Sequence, residues 1–455
     1  MSVFNVSLVS HTNVGKTTLM RTLLREDVGE VADRPHVTEA AESRILVESP
    51  QGDVLRLWDT PGLGDSARLL KRLRSSDNPL GWMLSQVWDR ITDRPFFSSQ
   101  QALKNAREEA DVVLYLVNAA EDPASSAYVP IELEILGWIA KPVILLLNQS
   151  GPARAREVEA GEEDAWRRRL AAFRDIRGAL TLDAFARCWV QEDRLFDALR
   201  NALPAAEHEA LERLRAVWRE KSLAVFEQSV DALAAELAAV LDDREPLRGS
   251  EDEARAVAAL AERAQANAGK ATARLIAVHG LAGSAKEEIP RRVAAQFDVR
   301  RPADVKKTSL VGALVSGLIG GLKADLATGG ASLGAGALIG ALIGALGAGS
   351  AAHAWNVLRG GAAARVRWSI ELLEAHLAGA ILRYLAVAHF GRGRGEWRES
   401  EHPPHWRTLA QDIAASHRDA LEFLSREPSP DAAPLMRAAL SEALVRLYPE
   451  AARLT

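Results

Sequence analysis

Short apolar runs bounded by polar or turn residues dominate the chain up to about residue 204. Val3–Val9 alternates apolar and polar positions, whereas VVLYLV at Val112–Val117 and VILLL at Val143–Leu147 are apolar without a break. Alternation marks a strand with one buried face; an unbroken run of this length suits a strand covered on both faces. Ile45–Glu48 and Val54–Trp58 complete the strand candidates. Helical stretches lie between them, so the pattern predicts a mostly parallel sheet with flanking helices. The segment LFDALRNAL, ending at Pro204, closes this α/β region.

Beyond it the period changes. Leu211, Leu214, Val217, Leu223, Phe226, Val230, Leu233, Leu237 and Leu241 recur every three or four residues, and 205 to about 300 reads as wholly helical. Two Gly/Ala-rich apolar stretches follow, Ser309–Leu322 and Ala331–Ala354, joined by a polar turn. After Trp355 the pattern predicts an amphipathic helix over about 362–389, a Gly-, Arg- and Pro-rich loop over 391–404, and one or two terminal helices. The expected architecture is therefore an α/β domain over 1–204 and an all-α domain over 205–455, with a Gly-rich hydrophobic helical hairpin at about 308–355.

The chain has 455 residues, 48% hydrophobic and 26% charged, with a formal charge of -5. Such a composition buries real cores and excludes a disordered chain. The acidic balance argues against a generic nucleic-acid binder. A lone cysteine, Cys188, excludes an internal disulfide framework and suits a reducing cytosol. The opening residues, MSVFNVSLVS, lack a basic n-region and a small-residue cleavage site, so they read as a first strand and not as a signal peptide.

Chemistry concentrates in SHTNVGKTT, residues 10–18, between the first strand and a predicted helix. In a phosphate loop, backbone N–H groups of the turn and helix N-terminus point at phosphate oxygens. Ser10, Asn13, Val14, Gly15 and Thr18 would line it. Gly15 lets the backbone pass close to the ligand, Lys16 supplies charge to the β- and γ-phosphates, and the Thr17 hydroxyl is a Mg2+ ligand. Ser10 stands where the first glycine of such loops is usual. Downstream, WDTPGLGD follows the strand VLRLW. Asp59 can hold the Mg2+ shell, and the Gly62 N–H can meet the γ-phosphate.

Together these two segments resemble the translation-factor class of P-loop GTPases, particularly the Era/TrmE-like group. The resemblance covers roughly residues 1–204. It implies GTP and GDP as ligands and Mg2+ as cofactor, with Lys16, Thr38 and Gly62 as catalytic positions. Thr38, in RPHVTEA, is similar to the switch threonine that meets Mg2+ and the γ-phosphate. Asn13 occupies the place where some relatives coordinate K+; an asparagine tolerated in a tight turn is the equal alternative. Leu63 stands where Ras-like GTPases place a water-orienting glutamine, so catalytic help would come from a partner, another protomer or a cation.

Base recognition departs from the family. In place of N-K-x-D the chain has Asn148-Gln149-Ser150-Gly151, without the aspartate that grips guanine. Loss of a charged bidentate partner costs on the order of a few kcal/mol of discrimination. Guanine specificity is therefore open. Ala184, in Asp183-Ala184-Phe185, is the candidate for the last guanine loop, offering its N–H.

Two segments bear on partners. The insert at about 64–108 carries Leu69, Leu70, Trp82, Met83, Trp88, Phe96 and Phe97 with basic Arg68, Lys71, Arg72 and Arg74. It reads either as an effector or homodimer surface set by the nucleotide, or as a helical insertion packed on its own chain. In the glycine-rich pair, Ser309–Leu322 spans roughly 21 Å, short of a ~30 Å hydrocarbon core, whereas Ala331–Ala354 spans roughly 36 Å. Gly336, Gly340 and Gly344 allow close helix approach, and basic residues flank both ends. Membrane contact at the inner face of the cell membrane and a buried hairpin in a cytoplasmic protein both fit. The whole resembles a bacterial GTPase family with a C-terminal domain of unknown function. The expectation is a GTP-hydrolysing switch coupled to a membrane or partner. The alternatives are a nucleotide-gated scaffold with negligible turnover and an RNA- or ribosome-associated GTPase. No specific nucleic acid is expected.

Overall fold

Strand β1 (Val3–Ser10) runs at the centre of a six-stranded sheet, between β3 (Val54–Asp59) and β4 (Val112–Asn118). A computed structural model describes residues 1–25, 41–75, 79, 81, 94–122, 124, 126–149, 156–184, 188–247, 253–281, 355–358, 364–390 and 405–454. Beyond β4 lie β5 (Val143–Asn148) and β6 (Ile176–Thr181), and β2 (Glu42–Glu48) forms the opposite edge. All neighbours pair in parallel except β2 with β3. The unbroken runs in β4 and β5 are buried throughout apart from the half-exposed Asn118, as strands covered on both faces must be.

Helix α1 (Lys16–Leu24) follows β1, and α2 (Ser66–Ser75) and α3 (Arg94–Glu108) follow β3. The later crossovers are α4 (Tyr128–Gly137) and α5 (Arg156–Arg169), and α6 (Trp189–Ala202) follows β6. Leu69, Leu70 and Phe96 of the long insert are buried in the same cluster as Leu63, Tyr115 and Leu145. The guanidinium groups of Arg68 and Arg72 lie 4.6 and 4.8 Å from the centre of the Phe96 ring. These parts of the insert thus pack on their own domain; Trp82, Met83 and Trp88 lie outside the described residues.

By its contacts the chain divides into two units, Met1–Ser222 with His389–Trp397, and Leu223–Ala388 with Arg398–Thr455. The long helix α7 (His208–Asp242) begins in the first. There Arg213 Nε donates to Asp53 Oδ2 at 2.7 Å. Arg215 and Arg219 each make two hydrogen bonds to the Asp193 carboxylate, at 2.6 to 3.0 Å. Trp218 packs on Phe196, with ring centres 5.7 Å apart.

The second unit contains the rest of α7, then α8 (Glu253–Val278), α9 (Ile370–Ala388), α10 (His405–Ser416), α11 (Arg418–Leu424) and α12 (Ala433–Leu447). It is not all helical. Strands β7 (Arg244–Leu247), β8 (Trp355–Leu358) and β9 (Ala364–Trp368) form an antiparallel sheet in the order β7-β9-β8. This corrects the all-α expectation. Pro246 is tolerated because β7 is an edge strand. Trp355 opens β8 opposite Trp368. The helix expected from about 362 starts at Ile370, where Ser369 Oγ accepts the Leu372 N–H at 3.4 Å.

One buried ionic group ties this unit together. Glu236 Oε1 accepts from Arg383 Nη2 at 2.5 Å and lies 2.8 Å from His376 Nε2, while Arg383 Nη1 donates to Ala268 O at 3.2 Å. Burial pushes the Glu236 carboxyl up, but the charges and hydrogen bonds of Arg383 and His376 outweigh it and hold it at about 2. Among the described residues no helix is long and apolar enough to cross a membrane. The hydrophobic hairpin expected at 308–355 lies outside them, save Trp355.

Candidate functional site

The loop between β1 and α1 is shaped by two left-handed residues. Asn13 has φ 63° and Gly15 has φ 91°. An asparagine accepts this conformation at modest cost, but Gly15 has a second reason to lack a side chain. A Cβ there would sit 2.8 Å from Asn148 Nδ2. Val14 and Thr18 are buried and Asn13 is exposed. Gly15 caps α1, so the first amides of that helix face the loop.

Lys16, 7% exposed, donates through Nζ to Ser10 Oγ at 2.9 Å and His11 O at 3.3 Å. Burial lowers its pKa to about 8, against the opposing pull of the Asp59 and Glu132 carboxylates. Next to it, Thr17 Oγ1 donates to Asp59 Oδ2 at 2.5 Å. Asp59 Oδ1 is buried and has no hydrogen-bond partner among the described residues. Burial raises the Asp59 carboxyl to about 6, although the Thr17 bond and the Lys16 charge oppose the rise. A hydroxyl beside a desolvated carboxylate with an unpaired oxygen fits a hard divalent cation.

Gly62 lies against this loop. A Cβ on it would be 2.9 Å from both Cα and Cγ2 of Thr12. Leu63 N donates to Ser10 O at 2.9 Å, and residues 11 and 63 form a parallel bridge. The Leu63 side chain is fully buried in the sheet's apolar cluster, so it has no access to water near the loop.

Asn148 ends β5 fully buried, and both ends of its amide are engaged. Nδ2 donates to Val14 O at 2.7 Å and Oδ1 accepts from Ala184 N at 2.8 Å. Gln149 Nε2 reaches back to Asn13 O at 3.2 Å. Asn148 and the Ala184 N–H, both expected at the base edge, are thus engaged with each other, and Asn148 ties the phosphate loop to the 183–184 loop. Ser10, Asn13, Val14, Gly15, Lys16, Thr17, Asp59, Gly62, Asn148, Gln149 and Ala184 are therefore drawn around one loop. Thr38, Ser150 and Gly151 lie outside the described residues.

A group not anticipated from the sequence sits behind the loop. Glu132 of α4, fully buried, accepts from Tyr115 OH at 2.7 Å and lies 2.8 Å from His11 Nδ1. His11 also stacks on Tyr128, with ring centres 4.8 Å apart. The one signal was a carboxylate at position 132 on the apolar face Val129, Leu133, Leu136.

Residues 5–149 match the family described as 50S ribosome-binding GTPase, and residues 167–445, more than half of the chain, match the domain of unknown function DUF3482. The chain belongs to the DUF3482 family. In this DUF3482 protein the front part is an Era/Der-like P-loop GTPase domain. It is 27% identical over 203 residues to GTPase Era of Geobacter metallireducens, spanning 44% of this chain and 55% of that protein. It is 28% identical over 166 residues to GTPase Der of Brucella anthropi, spanning 36% of this chain and 27% of that one. The chain thus spans about half, or less, of the length of these relatives. Among solved structures, it is similar to Aquifex aeolicus Era bound to GDP and aluminium fluoride, with 19% identity, 45% of this chain and 58% of that one covered, and a TM-score of 0.33. A structure of Era with MgGDPNP and a segment of 16S ribosomal RNA matches with 21% identity, the same coverage and a TM-score of 0.31.

Proposed function

We propose that the DUF3482 protein binds GTP with Mg2+, hydrolyses the γ-phosphate, and works as a nucleotide-dependent switch. The reading rests above all on Lys16, Thr17 and Asp59, a buried cation, hydroxyl and carboxylate brought together at the N-terminus of α1. Relatives named GTPase Era and GTPase Der, and an Era structure holding MgGDPNP, supply the nucleotide and the metal by analogy.

Thr17 and Asp59 would hold Mg2+, which when bound neutralises charge on the β- and γ-phosphates. Lys16 turns from Ser10 and His11 to the phosphate oxygens. The α1 amides and the Gly62 N–H stabilise the charge that builds on the transferring group as water attacks. Thr38 completes the metal shell by its place in the sequence. Leu63 orients no water, so turnover draws on another group, and K+ at Asn13 is the proposed source.

Guanine selectivity would rest on the loops around Asn148, Gln149 and Ala184. The 16S ribosomal RNA in the Era structure is a partner of a protein of which this chain covers 58%, and a chain with a formal charge of -5 offers phosphate backbones little attraction. Coupling to a membrane or partner, through 308–355 or the insert at 64–108, belongs to the same proposal.

The test is competition among GTP, XTP and ATP on the full chain, beside Lys16→Ala, with phosphate release measured with and without K+. GTP preference, lost with Lys16→Ala, supports the reading. ATP preference, or unchanged affinity in the variant, overturns it. Binding without release under either condition favours the scaffold alternative.

A further inference from the structure

We propose that Glu132 is a positioning residue for the phosphate loop, acting through His11. This rests on the nucleotide-site reading above and adds to it a residue outside every phosphate-binding motif of the chain.

The backbone at His11 is where three functional pieces meet. Its carbonyl accepts from Lys16 Nζ at 3.3 Å and from Ser10 Oγ at 2.6 Å. The same residue bridges Leu63, next to Gly62, and the neighbouring Ser10 O takes the Leu63 N–H at 2.9 Å. Whatever fixes residue 11 therefore fixes Lys16 against the loop and the Gly62-Leu63 segment against Lys16.

The His11 side chain is fixed from behind. Nδ1 lies 2.8 Å from Glu132 Oε1, and the ring packs on Tyr128. Glu132 is itself held by Tyr115 OH at 2.7 Å, on a strand in register with β1, where Val9 pairs with Tyr115. A fully buried carboxylate is destabilising unless it is paired and hydrogen-bonded. It also lies close enough to Lys16 to share its field, where a polyanion would meet repulsion. A group with both costs is explained by what it holds, and it holds His11.

The experiment is a double-mutant cycle on the full chain, reading the Kd for Mg2+–GTP and the single-turnover rate. His11→Ala and Glu132→Ala should each weaken binding about ten-fold, and the double variant should be no weaker than either single one, because both remove the same contact. Glu132→Gln, which still accepts a hydrogen bond, should recover most of the loss. Additive losses, or Glu132→Gln as weak as Glu132→Ala, would overturn the proposal. Should Glu132→Ala not fold, His11→Ala, whose side chain is 32% exposed, carries the test: unchanged Kd and rate would overturn it, and a ten-fold loss would support it. Lys16→Ala separates the two levels. If it abolishes binding while His11→Ala does nothing, the nucleotide reading stands and the role of Glu132 falls.

Discussion

Thr17 Oγ1 donates to Asp59 Oδ2 at 2.5 Å, joining the first turn of α1 to the end of β3. The second carboxylate oxygen is buried and has no partner among the described residues. Removing either group should weaken the Mg2+-dependent part of nucleotide affinity by about 10- to 100-fold, the loss expected for a contact to a charged group. Thr17→Ala and Asp59→Asn titrated with GTP in the presence of Mg2+ and of EDTA would show it. Equal affinities with and without Mg2+ are expected in both variants.

Gly62→Ala brings a methyl group to 2.9 Å from two atoms of Thr12. Because one of them is backbone, the segment must shift, and its N–H leaves the line to the phosphate. A roughly 100-fold fall in kcat is expected, the cost of removing one oxyanion-type donor. GDP affinity should stay within about two-fold, since the β-phosphate is held by the loop and helix amides.

Asn148→Ala leaves Val14 O and Ala184 N without their partner in a buried place. Each orphaned group costs about 1–3 kcal/mol. The melting temperature should fall in a thermal unfolding scan, and GTP should bind more weakly and with less preference over XTP and ATP, because the tie holds the phosphate loop and the 183–184 loop together.

Glu236 gives the second unit a defined acid sensitivity. Its carboxyl is held at about 2 against an ordinary 4.5, so its folded-state value is depressed. The unfolded chain then binds more protons in that window, and stability is lost as pH falls from about 4.5 towards 2. The loss is on the order of 2–3 kcal/mol. Glu236→Gln should remove this dependence and destabilise the unit at pH 7 by about 3–5 kcal/mol, since Arg383 is left buried without its anion. Pairing that change with Arg383→Met should recover most of the loss in urea unfolding followed by circular dichroism.

What could be read from the sequence was what lies together in it. Lys16 and Thr17 are neighbours, and Asp59 announces itself at the end of an apolar run before Pro61 and Gly62. Glu132 and His11 are 121 positions apart, and nothing local marks them as partners. The link from Asn148 to Ala184 is hidden in the same way, because it forms only when β5 and β6 close side by side. β6 does not stand out in the sequence because Arg177 and Gly178 interrupt its apolar pattern. β7, β8 and β9 are too short for a period to show, and Pro246 argues against a strand until an edge position is known.

The three arginines near the start of α7 decide where the chain can be cut. A fragment ending at Pro204 keeps Asp53 and Asp193 but discards Arg213, Arg215 and Arg219, stranding two carboxylates that were neutralised in pairs. It also strips Trp218 from Phe196 and leaves a fresh aromatic surface prone to clumping. A nucleotide-binding half meant to survive purification should therefore retain the opening turns of that helix, at least through Arg219.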